Sequence, residues 1–208
     1  INDGKITLRT PDDAINAAIS ITINGGEIDI VSTENDAIDS NGTLTINGGT
    51  VTASNNYYYV VYGSVTLNGG ELNIISTSTD YEAIIGSIII EKGALLTVSA
   101  TKGILDVDSD IVMADDAEEN DYFFVRYDTE SEFAPVPDIK AALDGKTYAE
   151  IKIETHEHDL DDNGKCVCGY ECTHESYTVS KCDACGYICT HEGQNGSCEI
   201  CGENLGKL

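Results

Sequence analysis

An Asn-Gly-Gly turn that returns along the chain constrains the fold more than any other feature. Asn24, Asn47 and Asn68 each open such a turn, and Glu91 stands at a degenerate fourth copy. The interval of about 21–23 residues is the length of one coil of a β-solenoid. Every interval divides in the same way. An acidic-Ala-Ile segment comes first ("DDAI", "NDAI", "YEAI"), an alternating run follows ("ISITI", "TLTI", "SVTL"), and a third segment leaves the glycines ("EIDIVS", "TVTAS", "ELNIIS").

Alternation fixes which side chains face the core. It sends Ile19, Ile21 and Ile23 inward, with Leu44, Ile46, Val65 and Leu67, and leaves the intervening Ser and Thr outside. The glycines supply the backbone freedom of a sharp corner. Coils stacked roughly 4.8 Å apart bring like residues into ladders, and a single coil cannot bury its own apolar face. An antiparallel meander explains the alternation but not the three-part period. The expectation is an all-β chain: a right-handed parallel β-helix over 1–114, followed by a small zinc-ribbon-like domain.

The repeat stops after Met113. Residues 115–153 read as a cap on the open end of the solenoid, where unpaired strand edges invite aggregation. "YFFVRYDTE" is a strand, Pro137-Asp138 opens a helical turn or two closed at Gly145, and a last strand follows. The chain begins inside a strand-like pattern at Ile1, which suggests a piece of a longer precursor.

Residues 154–208 form the third region. All four histidines and all eight cysteines of the chain lie between 156 and 201, in three units about 16–17 residues apart. Twelve ligands in three groups of four match three tetrahedral zinc sites. The natural grouping is His156, His158, Cys166 and Cys168; then Cys172, His174, Cys182 and Cys185; then Cys189, His191, Cys198 and Cys201. Residues i and i+2 of a strand share a face, and a Cys-x-x-Cys-Gly knuckle presents two more ligands. A register shifted by half a unit, or a disulfide framework, remains open from spacing alone. Four protein ligands make a closed, structural site, so metal binding and folding are one event. The tail resembles the short Cys/His zinc-ribbon-like repeats at the ends of bacterial surface proteins.

Net charge is −26, and no Lys or Arg occurs between Arg9 and Lys92. Nucleic acid and membrane insertion are therefore not expected as partners, and a monomeric chain is expected. The basic residue that a β-helix lyase needs beside its substrate is missing from the coils, and no pair of carboxylates stands out for hydrolysis, so the chain reads as no enzyme.

The units "DDAINAAISITINGGEIDIVS" and "DAIDSNGTLTINGGTVTAS" resemble the repeats of a family of secreted bacterial carbohydrate-binding proteins, whose parallel β-helix is related in shape to pectate lyases. The resemblance covers roughly residues 10–100. It implies a non-catalytic module of a secreted or cell-surface protein that binds plant cell-wall or acidic polysaccharide. It also implies calcium held between coils by aspartates of the acidic-Ala-Ile segments. The matching positions are Asp13 and Asp36, with Asp12 and Asp39 beside them; Glu82 fills the slot in "YEAI", and the third coil has no acid there. Tyr57, Tyr58 and Tyr59 offer flat faces to sugar C–H surfaces. The alternative is a structural stalk or adhesin segment without a glycan ligand.

Overall fold

The computed structural model describes residues 1–115, 117, 118 and 121–156, and the backbone alone of 177–178 and 181–182. The chain divides into two compact units, residues 1–156 and 157–208. The first is a parallel β-solenoid of about five turns.

Two parallel sheets form the solenoid. Sheet A stacks β1 (Lys5–Thr10), β4 (Glu27–Ser32), β6 (Thr50–Asn55), β8 (Gly70–Ser76) and β11 (Ala94–Ala100). Sheet B stacks β2 (Ile15–Ala17) and β3 (Ser20–Ile23) on β5 (Ile38–Ile46), then β7 (Val61–Leu67), β9 (Ile84–Ile85) with β10 (Ser87–Ile90), and β12 (Asp110–Met113). Thus the first two sequence segments of each coil lie in one sheet, and the glycine turn leads to the other. Registers such as Ile28↔Val51↔Leu72↔Leu96 keep like residues in line. Between the sheets, Ile23, Ile28, Leu44, Ile46, Leu67 and Leu72 are among the fully buried side chains.

Asn24, Asn47 and Asn68 form the expected ladder, and Asn2 extends it by one rung. Each carboxamide donates to the one before it, Asn24 to Asn2 at 2.7 Å, Asn47 to Asn24 at 2.7 Å and Asn68 to Asn47 at 2.9 Å. The ladder ends at Asn68 Oδ1, buried and without a donor, where the fourth coil supplies Glu91. The second glycine of each turn has positive φ, +84° at Gly49, where a Cβ would stand 2.4 Å from the Gly26 carbonyl oxygen. Coil stacking therefore excludes a side chain there as firmly as the turn does.

Ile19 corrects the inward assignment, for it is 84% exposed. Ala17 pairs with Ser40 and Gly63, whereas Ser20 pairs with Thr43 and Ser64. Gly63 and Ser64 are consecutive, so Ala18-Ile19 and Asn41-Gly42 are two-residue bulges that the third coil lacks. The bulge interrupts the alternation without shifting it, since Ala17 and Ile23 both face inward, and it turns Ile19 outward. Gly42 allows the bulges to stack, because a Cβ there would lie 1.7 Å from the Ile19 carbonyl oxygen.

Beyond β12, the chain closes sheet A antiparallel. Strand β15 (Tyr148–Thr155) pairs with β11, β13 (Asp121–Arg126) pairs with β15, and the short β14 (Ala134–Val136) ends the sheet. Helix α1 (Ile139–Leu143) starts at Asp138, whose carboxylate accepts from Ala141 N at 3.1 Å, and Gly145 beyond it has φ +67°. Lys92 and Thr155 both donate to the buried Asp121 carboxylate, at 2.8 and 2.9 Å, and so tie β13 and β15 to the fourth coil.

Candidate functional site

Aspartates and tyrosines meet where each coil passes from sheet A back into sheet B. Backbone bonds from Ile15 N to Ala37 O, Ile38 N to Val60 O and Val60 N to Ala83 O fix the register there. They align Asp13, Asp36, Tyr59 and Glu82, so a tyrosine occupies the acid slot of the third coil.

Asp13, Asp36 and Asp39 come together as the sequence suggested. Asn16 Nδ2 bridges Asp13 Oδ2 at 3.0 Å and Asp39 Oδ2 at 2.9 Å, and Asn41 donates to Asp39 at 3.2 Å. Asp36 is 5% exposed. Burial, then the charges of Asp13 and Asp39, push its carboxyl up to about 7, with a Tyr59 backbone N–H partly offsetting them. Asp39 is also raised, by burial first and Asp13 second. Asp13 Oδ1 and Asp36 Oδ1 are enclosed and have no hydrogen-bond partner in the protein. Asp12 stands outside the cluster, with its side chain accepting from Asp13 N and Asn35 Nδ2.

These two orphaned oxygens lie in adjacent coils. The carboxylates alone do not complete a shell of six to eight oxygens, and among the described residues no group of three or more His, Cys, Asp or Glu is arranged to hold a metal ion. Backbone carbonyls would have to supply the rest.

The tyrosines pack as a cluster. Tyr58 lies against Tyr59 and Tyr81, with ring centroids 5.0 and 4.4 Å apart, and Tyr59 lies 5.2 Å from Tyr81 and 6.4 Å from Tyr62. Tyr57 and Tyr62 are the open faces, 58% and 42% exposed. Burial raises the Tyr58 and Tyr59 hydroxyls, and nearby carboxylates add to it, Asp36 at Tyr58 and Asp106 with Glu82 at Tyr59. The buried Asn55 positions the loop, donating to the carbonyls of Asn35 and Tyr59 and accepting from Tyr57 N at 2.7 Å and Tyr58 N at 3.1 Å. One coil on, Ser78 Oγ repeats this, donating to Tyr57 O at 2.9 Å and accepting from Tyr81 N at 3.1 Å.

Sequence reasoning missed Tyr62, Tyr81 and Asn55. The coil period could have found Tyr81, which stands one coil after Tyr58 in the same segment. Asn55 shares its column with Ser32 and Ser76, and alternation sets it inward with Val51 and Ala53, so a polar residue at an inward position was the signal that could have found it.

A cleft of about 570 Å³ lies on the cap side of Glu82 and Asp106, with Lys102, Lys140 and Lys146 on its walls. The lysines are engaged: Lys140 donates to the Ser109 carbonyl at 3.0 Å, Lys102 to that of Asp80 at 2.7 Å, and Lys146 sits 4.6 Å over the Tyr127 ring. Lys140 thus fastens the cap helix to the last coil, Lys102 joins two coils, and Lys146 holds within the cap.

Of the twelve residues assigned to zinc, only the His156 side chain is described, edge-on to Tyr122 and Phe124 at centroid distances of 5.8 Å. Cys182 is described as backbone, in β17 (Lys181–Cys182) paired antiparallel with β16 (Tyr177–Thr178). His158, Cys166, Cys168, Cys172, His174, Cys185, Cys189, His191, Cys198 and Cys201 lie outside the described residues. Comparison with protein families, curated proteins and solved structures finds no match to the chain.

Proposed function

We propose that the chain is a non-catalytic carbohydrate-binding module of a secreted or cell-surface bacterial protein, taking plant cell-wall or acidic polysaccharide. The observation that carries the reading is the tyrosine cluster on the solenoid edge. Tyr62 lies against Tyr59, which packs with Tyr58 and Tyr81, while Tyr57 stands open in the same segment, and Asp36, Glu82 and Asp106 lie close to the packed rings. A flat, rigid aromatic face suits sugar C–H groups, and the polar handle of tyrosine suits their hydroxyls. A right-handed winding of the pectate-lyase kind belongs to the same reading, since parallel crossovers take that hand almost always.

Calcium at Asp13, Asp36 and Asp39 is part of the proposal, supported by the orphaned Asp13 and Asp36 oxygens. It would neutralise the cluster and could bridge an anionic sugar to an anionic protein. Three structural zinc ions in the tail rest on ligand spacing. Elemental analysis of an untreated preparation should give close to three zinc ions per chain, and well under one would end that part.

The test is retention of the purified chain on insoluble cellulose, pectin and polygalacturonate, with and without calcium. Wild-type retention on at least one, lost tenfold or more in Tyr57→Ala/Tyr62→Ala, is expected. No retention on any of them favours the stalk reading, and release of unsaturated sugar ends would restore a lyase.

A further inference from the structure

The outer face of sheet B has a composition that the chain as a whole does not share. Its two central ranks run parallel to the solenoid axis, one residue per coil. Thr22, Thr45 and Thr66 are consecutive in one rank, followed by Ile89 and Val112. Ser20, Thr43, Ser64 and Ser87 fill the other, which ends at Asp110. From Ser20 to Ile89 these positions carry no charge, in a protein of net charge −26. No hydroxyl among them makes a hydrogen bond to another of the described residues, and Ser20, Thr22, Thr43, Ser64 and Ser87 are exposed. Sheet A is built differently, with Lys5–Glu27 and Arg9–Asp29 ion pairs and Glu71 on its outer face. Strand propensity explains Thr on either sheet, but it does not explain why the central ranks of sheet B are uncharged from Ser20 to Ile89.

We infer that this uncharged hydroxyl face of sheet B is the docking surface for a neutral polysaccharide chain lying along the solenoid axis. The inference rests on the carbohydrate-binding reading and names the surface and the glycan class. A partner that repeats its hydroxyls and C–H faces matches a protein that repeats one hydroxyl and one methyl per coil, about 4.8 Å apart. Neutrality follows from charge: the two ranks hold no Lys or Arg to meet an anionic chain, and Asp110 ends one of them. Tyr62 joins the two surfaces. It stands in sheet B between Asp39 and Ile85 and touches the Tyr59 ring at 6.4 Å. An axial chain on the hydroxyl ranks therefore runs beside the open tyrosine.

Substitution on the outer face leaves the core untouched, so Thr45→Glu with Ser64→Glu tests the surface, and Thr52→Glu on the outer face of sheet A is the control. Retention on insoluble cellulose should fall at least tenfold in the sheet B variant and stay within twofold of wild type in the control, with circular dichroism unchanged in both. Cellulose binding that survives in the sheet B variant but is lost in Tyr57→Ala/Tyr62→Ala overturns this inference and leaves the carbohydrate reading standing. Equal loss in the sheet A control also overturns it. Failure of the wild type on every polysaccharide overturns both. A wild-type dimer in light scattering that the sheet B variant splits would make the face a contact between copies instead.

Discussion

Asp36→Asn isolates one carboxyl that the fold holds against its chemistry. The group is 5% exposed, lies beside Asp13 and Asp39, and is raised from 3.8 to about 7. A carboxyl that binds its proton more tightly in the folded state contributes stability at low pH, and that contribution is lost as pH rises through the folded value. The full shift corresponds to about 4 kcal/mol, at 1.36 kcal/mol per unit. Between pH 5.5 and 8 the linkage relation gives a loss of about 2 kcal/mol for the wild type, or roughly 4–8 °C in melting temperature for a domain of this size. The window spans the folded-state value of about 7. Every group common to both proteins contributes equally and cancels from the difference between them. In calcium-free buffer, thermal melts at the two pH values should therefore show wild type losing about 2 kcal/mol more than Asp36→Asn, and the variant should be the more stable protein at pH 8. Equal pH slopes, or a wild type that gains stability toward pH 8, would refute the buried-charge reasoning. Calcium added at pH 8 should raise the wild-type midpoint and leave that of Asp36→Asn unmoved, if the cation proposal holds.

Three further substitutions test how coils are held to one another. Glu91→Asn places a carboxamide donor opposite the orphaned Asn68 Oδ1 and should stabilise the solenoid by about 1 kcal/mol in urea unfolding. Gly49→Ala meets both a positive φ and the Gly26 carbonyl at 2.4 Å; a loss of at least about 3 kcal/mol is expected, and a neutral result would mean the stacking is looser than described. Asn55→Ala removes four hydrogen bonds around the tyrosine loop and should cost about 2–4 kcal/mol, with faster amide exchange at Tyr57 and Tyr58 as the local readout.

Much of this architecture could be read before folding, because a parallel solenoid writes its period into the chain. Each coil must offer the same inward positions and the same corner, so Asn24, Asn47 and Asn68 announce the stacking. The cap helix was equally plain, since Asp138 and Gly145 are local signals that act on their own few residues. The same period sets Asp13 and Asp36 one coil apart and in line, whereas Tyr62 and Tyr81 of the aromatic cluster went unread. Less came through where two coils differ. Ile19 sits in a residue pair that the third coil lacks, and alternation within one coil carries no information about what the next has deleted.

The sequence by itself determined the repeat, the two-sided pattern of each strand and the placing of acids and tyrosines in one segment, because each depends on spacing along one chain. Only the tertiary structure decided which of those acids loses its water and which tyrosine ring stays open. Asp12, Asp13, Asp36 and Asp39 are alike as letters. Stacking buries Asp36 between neighbours on two coils and leaves Asp12 at the surface. Burial and charge density depend on what the adjacent coil brings, and that is a property of the pile of coils rather than of any one turn.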